Sequence, residues 1–436
     1  MKTKIIIYIF LSISLIFLQN CSENPTEINN LDKSIINGTI VDNDNSLPIP
    51  GAKVTSLNSG ITAFSDTNGY FSIKNITTGN HQFIISKFNY IPDTLNIAVT
   101  NNDTINFEIK LSVIDPFLDL KGDKYKITFT HLNSSTTDIF QINSDGTGFR
   151  KLTNNFNASA AIWSPDGSYI ALVTNDDIFI MDSSSSNIYP LTNDEYWDHS
   201  VPWSPTGDKL VFVSNKNGNL DIYTINKDGT GRLQLTNNGL ISPSANSYTP
   251  LWSPDGEYIA YSQFTDGIGE IYIMNSDGSN QRPLTTDGVY KTLVKWSPDS
   301  DKLLANYGED DQSEIFLIFV NGSDPFQLTN NNSEDEATDW SLDGQKILFS
   351  SERDGSVDDI FIMNSDGSEP KNLTRTNNSA ELWGKFSPDG LKIVYWSNRD
   401  IDGEIYLMNI QGYRHIRLIN NPGADQWPNW CPVPNI

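Results

Sequence analysis

Four carboxylates and three tryptophans occupy equivalent places in a repeated sequence and could together form a binding site. Each carboxylate stands five residues before the aromatic residue of one copy of the motif WSPDG, and each tryptophan lies within two residues of such a carboxylate. The seven residues are Asp198, Asp335, Glu381, Asp425, Trp197, Trp383 and Trp427. Grouped carboxylates attract positive charge, and indole rings offer broad apolar faces. We therefore predict an acidic, aromatic-rimmed pocket for a cation, a basic protein segment or a sugar.

The four carboxylates also have a structural interpretation. An acidic side chain near a turn can accept hydrogen bonds from the backbone of its own loop, which would leave no charge free for a ligand. Both interpretations stay open at this point. A second set of acidic residues stands directly before an Ile in all seven copies of the repeat, and a feature of every copy favours an architectural role. This second set is Asp138, Asp177, Asp221, Glu270, Glu314, Asp359 and Glu404.

The repeat that positions these residues is about 44 residues long. Its anchor motif begins at positions 163, 203, 252, 296, 340, 386 and 430. Apolar runs separated by Asp-Gly and similar turn signals predict four antiparallel strands per copy, joined by tight hairpins. The strands are apolar on both faces, so each unit must be covered on two sides and the array must close on itself. The anchor tryptophans are expected to pack between neighbouring units.

These motifs resemble the TolB-type β-propeller repeat over residues 121–436. The first copy lacks an anchor, and the last anchor, at Trp430, has no further strands after it. We therefore predict an all-β fold with a seven-bladed propeller, in which the C-terminal strand completes the first blade. The propeller of the TolB family itself has six blades.

A smaller domain is predicted over residues 33–113. Apolar and polar residues alternate there with period two between turns such as Asn68-Gly69, a pattern typical of a small antiparallel sandwich. The stretch from Ser65 to Tyr90, with Phe71, Ile73 and Ile76 pointing inward, resembles the carboxypeptidase regulatory-like domain. This resemblance implies a transthyretin-like sandwich that serves as an accessory module.

Residues 1–20 resemble a bacterial lipoprotein signal. Two lysines precede the uncharged apolar run Ile5–Leu18, which is shorter than the roughly 20 residues that span a bilayer. The resemblance implies that Cys21 is lipidated, that residues 21–32 form a polar tether, and that the outer membrane is the favoured location. An ordinary cleaved signal peptide is the alternative. Cys431, the other cysteine, is expected to be buried and inert.

Composition and motifs narrow the function further. The net charge of −25 disfavours nucleic acid and anionic lipid as partners, so membrane contact is expected through the lipid anchor only. The sequence has no GxSxG elbow, phosphate loop or zinc pattern, and no cofactor or catalytic constellation is expected. His131, His199 and His415 are spread over different blades. His199, beside Asp198, could be a metal ligand, but an isolated loop histidine is favoured.

These features together predict a lipid-anchored protein of the cell envelope that is not an enzyme. Its propeller face would bind a protein, peptide or glycan partner. The alternative is a carbohydrate-active enzyme, either a polysaccharide lyase or a hydrolase, or a peptidase-associated module that uses the same face.

The lipid anchor predicts a simple change in fractionation. Cys21→Ser removes the thiol that would carry the lipid, so the variant should leave the membrane fraction of a Gram-negative host. Fractionation and labelling with radioactive palmitate measure this. A wild-type protein that takes up no palmitate would contradict the prediction, and Cys431→Ser, which should still be labelled, is the control.

Overall fold

The computed structural model describes residues 34–57, 60–88, 90–113, 125–133, 136–158, 160–237, 250–265, 268–308, 313–355, 357–400 and 402–434. The proposed signal segment 1–20, Cys21 and the tether 21–32 lie outside these residues. Within them the regular elements are β-strands. No helix in this part of the chain has the length and apolar character of a membrane span.

The chain divides into two compact units. Among the described residues, the first takes in those up to Ile85 together with Thr94–Lys110, and the second takes in those of Ser86–Asp93 together with those from Leu111 onward.

The first unit contains a three-stranded sheet of order β4-β1-β7 and a four-stranded sheet of order β3-β2-β5-β6. Its strands are β1 (Ser34–Asp42), β2 (Lys53–Ser56), β3 (Thr62–Phe64), β4 (Tyr70–Ile76), β5 (Gly79–Ser86), β6 (Asp93–Val99) and β7 (Thr104–Leu111). Phe71, Ile73 and Ile76 are buried, as the alternating pattern of β4 predicts. Gly69 has a φ of +73°, and a Cβ there would lie 2.4 Å from the Ile40 carbonyl oxygen, so this turn requires glycine.

The second unit contains strands β8 to β35. In chain order they are β8 (Tyr125–Asn133), β9 (Thr136–Asn143), β10 (Arg150–Lys151), β11 (Ala160–Trp163), β12 (Tyr169–Thr174), β13 (Asp177–Asp182), β14 (Ile188–Pro190), β15 (Asp198–His199), β16 (Lys209–Ser214), β17 (Asp221–Asn226), β18 (Leu233–Gln234), β19 (Leu251–Trp252), β20 (Tyr258–Thr265), β21 (Ile268–Asn275), β22 (Arg282–Pro283), β23 (Lys291–Trp296), β24 (Lys302–Tyr307), β25 (Glu314–Phe319), β26 (Phe326–Gln327), β27 (Asp335–Trp340), β28 (Lys346–Ser351), β29 (Asp359–Asn364), β30 (Lys371–Asn372), β31 (Glu381–Phe386), β32 (Lys392–Ser397), β33 (Glu404–Asn409), β34 (Ile416–Arg417) and β35 (Ala424–Pro434).

In the described part of this unit, the strands form seven four-stranded antiparallel sheets, which we number as blades 1 to 7. Blade 1 has the order β10-β9-β8-β35, so the C-terminal strand pairs with the first strand of the unit. Trp430 lies opposite Ile127 in this pairing, and Asp425 lies opposite His131. Blades 2 to 7 each consist of four successive strands, from β11–β14 to β31–β34.

Apolar clusters between neighbouring blades connect the seven sheets into a ring. The cluster that joins the last blade to the first contains Val394 and Leu407 of blade 7 together with Ile127 and Phe129 of blade 1. Equivalent clusters join each of the other neighbouring pairs in turn. Each blade therefore contributes apolar side chains to a cluster on both of its faces, as the two-sided apolar strands require.

The anchor tryptophans pack between blades, and several of them also donate a hydrogen bond to the preceding blade. Trp203 donates its indole N–H to the carbonyl oxygen of Ile162 at 3.0 Å, and Trp430 donates to that of Lys385 at 3.1 Å. Both side chains are more than nine-tenths buried. For these two indoles the innermost strand of the preceding blade supplies the acceptor that a buried N–H needs, whereas the buried indole nitrogens of Trp252 and Trp340 have no hydrogen-bond partner among the described residues.

The rest of the anchor motif shapes the first hairpin of each blade. In blade 2, the Ser164 hydroxyl donates to Asp166 at 2.6 Å and accepts from the Tyr169 N–H at 2.9 Å. Gly167 follows with a φ of +68°, which glycine adopts at little cost. The Ser–Asp contact recurs at Ser253–Asp255, Ser297–Asp299, Ser341–Asp343 and Ser387–Asp389.

Ring closure by β35 predicts a large effect of truncation. Deleting residues 425–436 should expose the edge of β8 and the apolar cluster of blades 7 and 1, so cooperative unfolding should be lost or the protein should aggregate. Thermal unfolding measures this. Val433→Ala, at an exposed position of the same strand, is the control and should change stability by less than about 0.5 kcal/mol. A truncated protein that melts within a few degrees of wild type would contradict closure by β35.

Candidate functional site

The four predicted carboxylates lie at the same end of the innermost strand in four blades. Asp198, Asp335 and Glu381 are the first residues of β15, β27 and β31, and Asp425 is the second residue of β35. All four are completely buried. The structure therefore gives them equivalent positions, each inside its own blade.

Each of these carboxylates faces a basic side chain. The closest N···O distances are 2.9 Å from Arg232 to Asp198, 2.6 Å from Arg353 to Asp335, 3.1 Å from Arg399 to Glu381 and 2.7 Å from His131 to Asp425. Burial of all four side chains against these partners corrects the expectation of an accessible acidic rim. Arginines balance the charge of Asp198, Asp335 and Glu381, whereas burial lowers the pKa of His131 and raises that of Asp425, so this fourth contact is a hydrogen bond with little ionic character. The structural interpretation fits the four contacts better. Whether any of the four contacts a ligand stays a prediction.

Glu381 shows how such a carboxylate is held. Besides Arg399, it accepts hydrogen bonds from the hydroxyl groups of Thr376, Ser379 and Ser397. Burial raises the pKa of Glu381, and these hydroxyls together with the guanidinium oppose that rise. A carboxylate with this many donors fixes both the loop before β31 and the strand itself.

The second set of acidic residues, at the start of the third strand of each blade, serves the blade itself. Asp138 accepts a hydrogen bond from the Thr153 hydroxyl at 2.9 Å and another from the Phe156 N–H at 3.1 Å. Asp221 and Asp359 accept equivalent bonds from Thr236 and Thr374. These contacts tie the third strand to the segment after the fourth, which supports the architectural role.

The residues five positions before each anchor and the acidic residues of the third strands meet at the junctions between blades. In blade 5 the position five residues before the anchor holds Lys291, and its ammonium contacts Glu270 of blade 4 at 2.9 Å. At the junction of blades 7 and 1 the equivalent residues are two carboxylates, Glu404 and Asp425. Burial raises the pKa of each of these carboxylates to about 7, and at Glu404 the charge of Asp425 adds to the rise while Arg417 opposes it.

The Asp198 region also contains a carboxylate cluster with the spacing of metal ligands. One ligand atom from each of Asp177, Asp194 and Asp198 lies within 4.8 Å of the others. Arg232 donates to both Asp194 and Asp198, and Lys216 donates to Asp194. Side chains of the protein therefore already balance most of the negative charge of this cluster.

The three tryptophans fall into two places. Trp197 stacks on His199 in blade 3, with ring centroids 4.1 Å apart and planes 17° apart. Trp383 of blade 7 and Trp427 of blade 1 lie together, with ring centroids 5.7 Å apart. Trp396, which the sequence reasoning missed, packs 5.4 Å from Trp383. We call Trp383, Trp396 and Trp427 the tryptophan platform.

The backbone of the tryptophan platform is unusual. Trp383 and Trp427 have φ angles of +56° and +53°, a region that bulky residues rarely adopt. Both fall where the strand register is irregular, between Leu382 and Lys385 in β31 and between Gln426 and Asn429 in β35. A bulge of this kind re-aims a side chain, and Trp427 remains 41% exposed. Strained positions of this kind cluster at functional sites.

A row of polar side chains that the sequence reasoning also missed crosses the innermost strands of blades 5, 6, 7 and 1. Lys295 pairs with Asp339, and Lys385 donates to the Asn429 side-chain oxygen at 2.5 Å. All four residues directly precede an anchor motif, where blades 2 to 4 have Ile162, Pro202 and Leu251. A comparison of the residues before each anchor would have revealed this row.

The three propeller histidines do not converge. His131 contacts Asp425, His199 lies 3.3 Å from Asp176, and the His415 ring is within 2.8 Å of the Tyr395 hydroxyl. They belong to different blades and have different partners. Cys431 is a free, buried thiol, and burial raises its pKa.

Comparisons with known families agree with both predicted resemblances. The family model described as TolB beta propeller domain matches residues 82–248 and 236–396, and the CarboxypepD_reg-like domain model matches residues 36–115. These matches and the all-β structure confirm the predicted fold class. No curated protein sequence matches the chain.

Several solved structures are similar to this chain. TolB from Acinetobacter baumannii is 18% identical, with 70% of this chain and 82% of that chain covered and a TM-score of 0.46. An oligogalacturonate lyase from Vibrio parahaemolyticus is 12% identical, with 65% and 86% covered and a TM-score of 0.52. A puromycin-hydrolyzing peptidase from Mycobacterium tuberculosis is 14% identical, with 67% and 53% covered and a TM-score of 0.53. At these identities the similarity shows the fold alone.

The raised pKa values of Glu404 and Asp425 predict a pH dependence of stability. A carboxyl whose pKa is about 7 when folded and near 4 when unfolded binds more protons in the folded state. Its stabilising contribution is full below about pH 4 and is lost as the pH rises towards 7. Burial lowers the pKa of His131 and of His415, so these groups act in the opposite sense and the effect appears as a difference between proteins. From pH 4 to pH 7 the wild type should lose about 1–3 kcal/mol of stability relative to Glu404→Gln.

Thermal unfolding between pH 4 and 8 measures this effect, and Asp138→Asn is the matched control. Asp138 occupies the position equivalent to Glu404, but its pKa is lowered: burial alone would raise it, and hydrogen bonds from Lys151, Phe156 and Thr153 outweigh that effect. The control should therefore keep the wild-type slope. A slope that Glu404→Gln leaves unchanged would contradict the prediction.

Proposed function

Because the chain belongs to the TolB beta propeller domain family, we propose that its propeller is a binding module of the bacterial cell envelope with no catalytic step of its own. The partner is a protein, peptide or glycan of the envelope. The lipid on Cys21 holds the protein at a membrane, with the outer membrane favoured, and residues 21–32 tether the folded domains to it. The CarboxypepD_reg-like domain is an accessory unit.

The tryptophan platform is the observation that carries this proposal. Three indole rings gather where blades 7 and 1 meet, and two of them are held by left-handed backbone in bulged strands. Folding alone gains little from a half-exposed Trp427, because an aromatic ring is most stabilising when fully buried. Rigid, partly exposed aromatic rings are typical anchors of binding surfaces.

The predicted carboxylates act by positioning this platform. Glu381 stands two residues before Trp383 in β31, and Asp425 stands two residues before Trp427 in β35. Their buried contacts with Arg399 and His131 fix the ends of the two strands from which the tryptophans extend. Asp198 and Asp335 hold the corresponding strands of blades 3 and 6, and Trp197 is a second, smaller aromatic surface on blade 3.

An enzyme that uses the same face is the second candidate. The similarity in fold to an oligogalacturonate lyase and to a peptidase, both with TM-scores above 0.5, is the observation in its favour. Against it, His131, His199 and His415 have separate partners in separate blades. Turnover of a glycan or peptide that a chelator abolishes would support this candidate.

The proposed function predicts that partner capture depends on the tryptophan platform. Trp427→Ala removes the most exposed indole, so retention of the envelope partner on the immobilised protein should fall at least about tenfold, equivalent to about 1.4 kcal/mol. The amount retained from an envelope extract, separated into protein and glycan fractions, measures this.

Tyr413→Ala is the matched control for this experiment. Tyr413 is also a large exposed aromatic residue of the same propeller, at 56% exposure, and it lies outside the platform. This variant should retain the partner as wild type does. Equal retention by Trp427→Ala and wild type would rule out the platform as the binding surface.

A further inference from the structure

The row of polar residues on the innermost strands has an excess of positive charge in an otherwise acidic protein. Lys295 of blade 5 and Lys385 of blade 7 flank Asp339 of blade 6, while the chain as a whole has a net charge of −25. These three side chains together have a charge of +1 when both lysines are protonated. An anionic ligand that approached this protein would find favourable charge at this row.

The contacts within the row leave Lys385 able to pair with a ligand. Asp339 accepts hydrogen bonds from Lys295 and, at 2.9 Å, from the Phe386 N–H. Lys385 itself donates to the neutral amide of Asn429. An ammonium group has three donors, so two remain for a further acceptor.

The electrostatics of Lys385 agree with this geometry. Burial lowers the pKa of Lys385 to about 8, and the attraction of Asp339 opposes that effect. A largely buried ammonium whose direct partner is neutral gains stability when a carboxylate joins it.

This cation lies beside the tryptophan platform. Lys385 is two residues after Trp383 in β31, and Asn429 is two residues after Trp427 in β35. The two strands are in contact at both positions, through the Lys385–Asn429 hydrogen bond and through the Trp383–Trp427 ring pair. The indole pair and the ammonium therefore lie at neighbouring positions of the same two strands.

The same strands are poorly suited to an added peptide strand. A peptide that extends a sheet needs a regular row of free backbone N–H and C=O groups. The register of β31 and of β35 is irregular at the platform, and Pro428 has no N–H to donate. Flat indole faces beside a cation are better matched to a sugar ring that carries an acidic group.

We propose that the ligand is an acidic glycan, whose uronic acid carboxylate pairs with Lys385 while its sugar ring stacks on Trp427. This assignment rests on the proposed function and names the ligand class of the same surface. It makes Lys385 a determinant of specificity, because a neutral sugar gains the stacking contact without the ion pair.

The experiment compares charged and neutral sugars on the purified full-length protein. The probes are trisaccharides of galacturonate, glucuronate and mannuronate, each with its methyl ester as the neutral counterpart. Isothermal titration calorimetry gives the dissociation constants. At least one acidic trisaccharide should bind at least tenfold more tightly than its methyl ester.

Variants then separate charge from stacking. Lys385→Met should reduce the affinity for the acidic sugar to that for the ester and leave the affinity for the ester unchanged. Lys385→Arg should keep most of the preference for the acidic sugar. Trp427→Ala should weaken the binding of both the acidic sugar and its ester. Lys209→Met, at an exposed lysine of blade 3, should behave as wild type.

The outcomes distinguish this inference from the proposed function. If acid and ester bind equally and both depend on Trp427, the acidic ligand is wrong and the binding surface stands. If none of the sugars binds, or if a peptide binds in their place through Trp427, the acidic glycan is also wrong. The proposed function fails by a different result: the Trp427→Ala variant retains as much of the envelope partner as wild type does.

Discussion

Each blade of this propeller buries apolar side chains on both of its faces, and the closed ring follows from that constraint. Ile347 and Leu348 are successive residues of β28, yet the first belongs to the cluster between blades 5 and 6 and the second to the cluster between blades 6 and 7. Side chains alternate between the two faces of a strand, so a blade at the end of an open array would expose half of them to water. The C-terminal strand in blade 1 brings the first and last blades together and removes that cost.

Closure of the ring also explains why charged side chains are buried where neighbouring blades meet. The end of each innermost strand meets the third strand of the preceding blade, and both places are usually acidic. A buried carboxylate is costly without a partner, so basic side chains such as Arg353, Arg399 and His131 stand beside them. The pairing of Lys291 with Glu270 at one junction shows that a cation can replace the acidic residue there. The Lys291–Glu270 pair joins two blades, whereas the arginines and His131 lie in the same blade as their carboxylates.

The sequence was sufficient for the fold and for part of the candidate site. A period of about 44 residues, hairpin signals and an orphan anchor at Trp430 predicted the blades and the closing strand, because these features are local and repeat in every copy. The burial of Asp198, Asp335, Glu381 and Asp425 was not predictable in the same way. Their basic partners come from other segments without a fixed motif, and only the folded chain brings each pair together.

Departures from the repeat coincide with the arc of the ring where the proposed binding surface lies. The innermost strands of blades 5, 6, 7 and 1 all have irregular register, and the same four strands contribute Lys295, Asp339, Lys385 and Asn429. The innermost strand of blade 2, by contrast, pairs in regular register and has Ile162 at that position. A bulge places an extra residue in a strand and re-aims the side chains around it. One arc of a repetitive ring can thus acquire indole and ammonium groups, while the interfaces between blades keep the contacts that hold the ring closed.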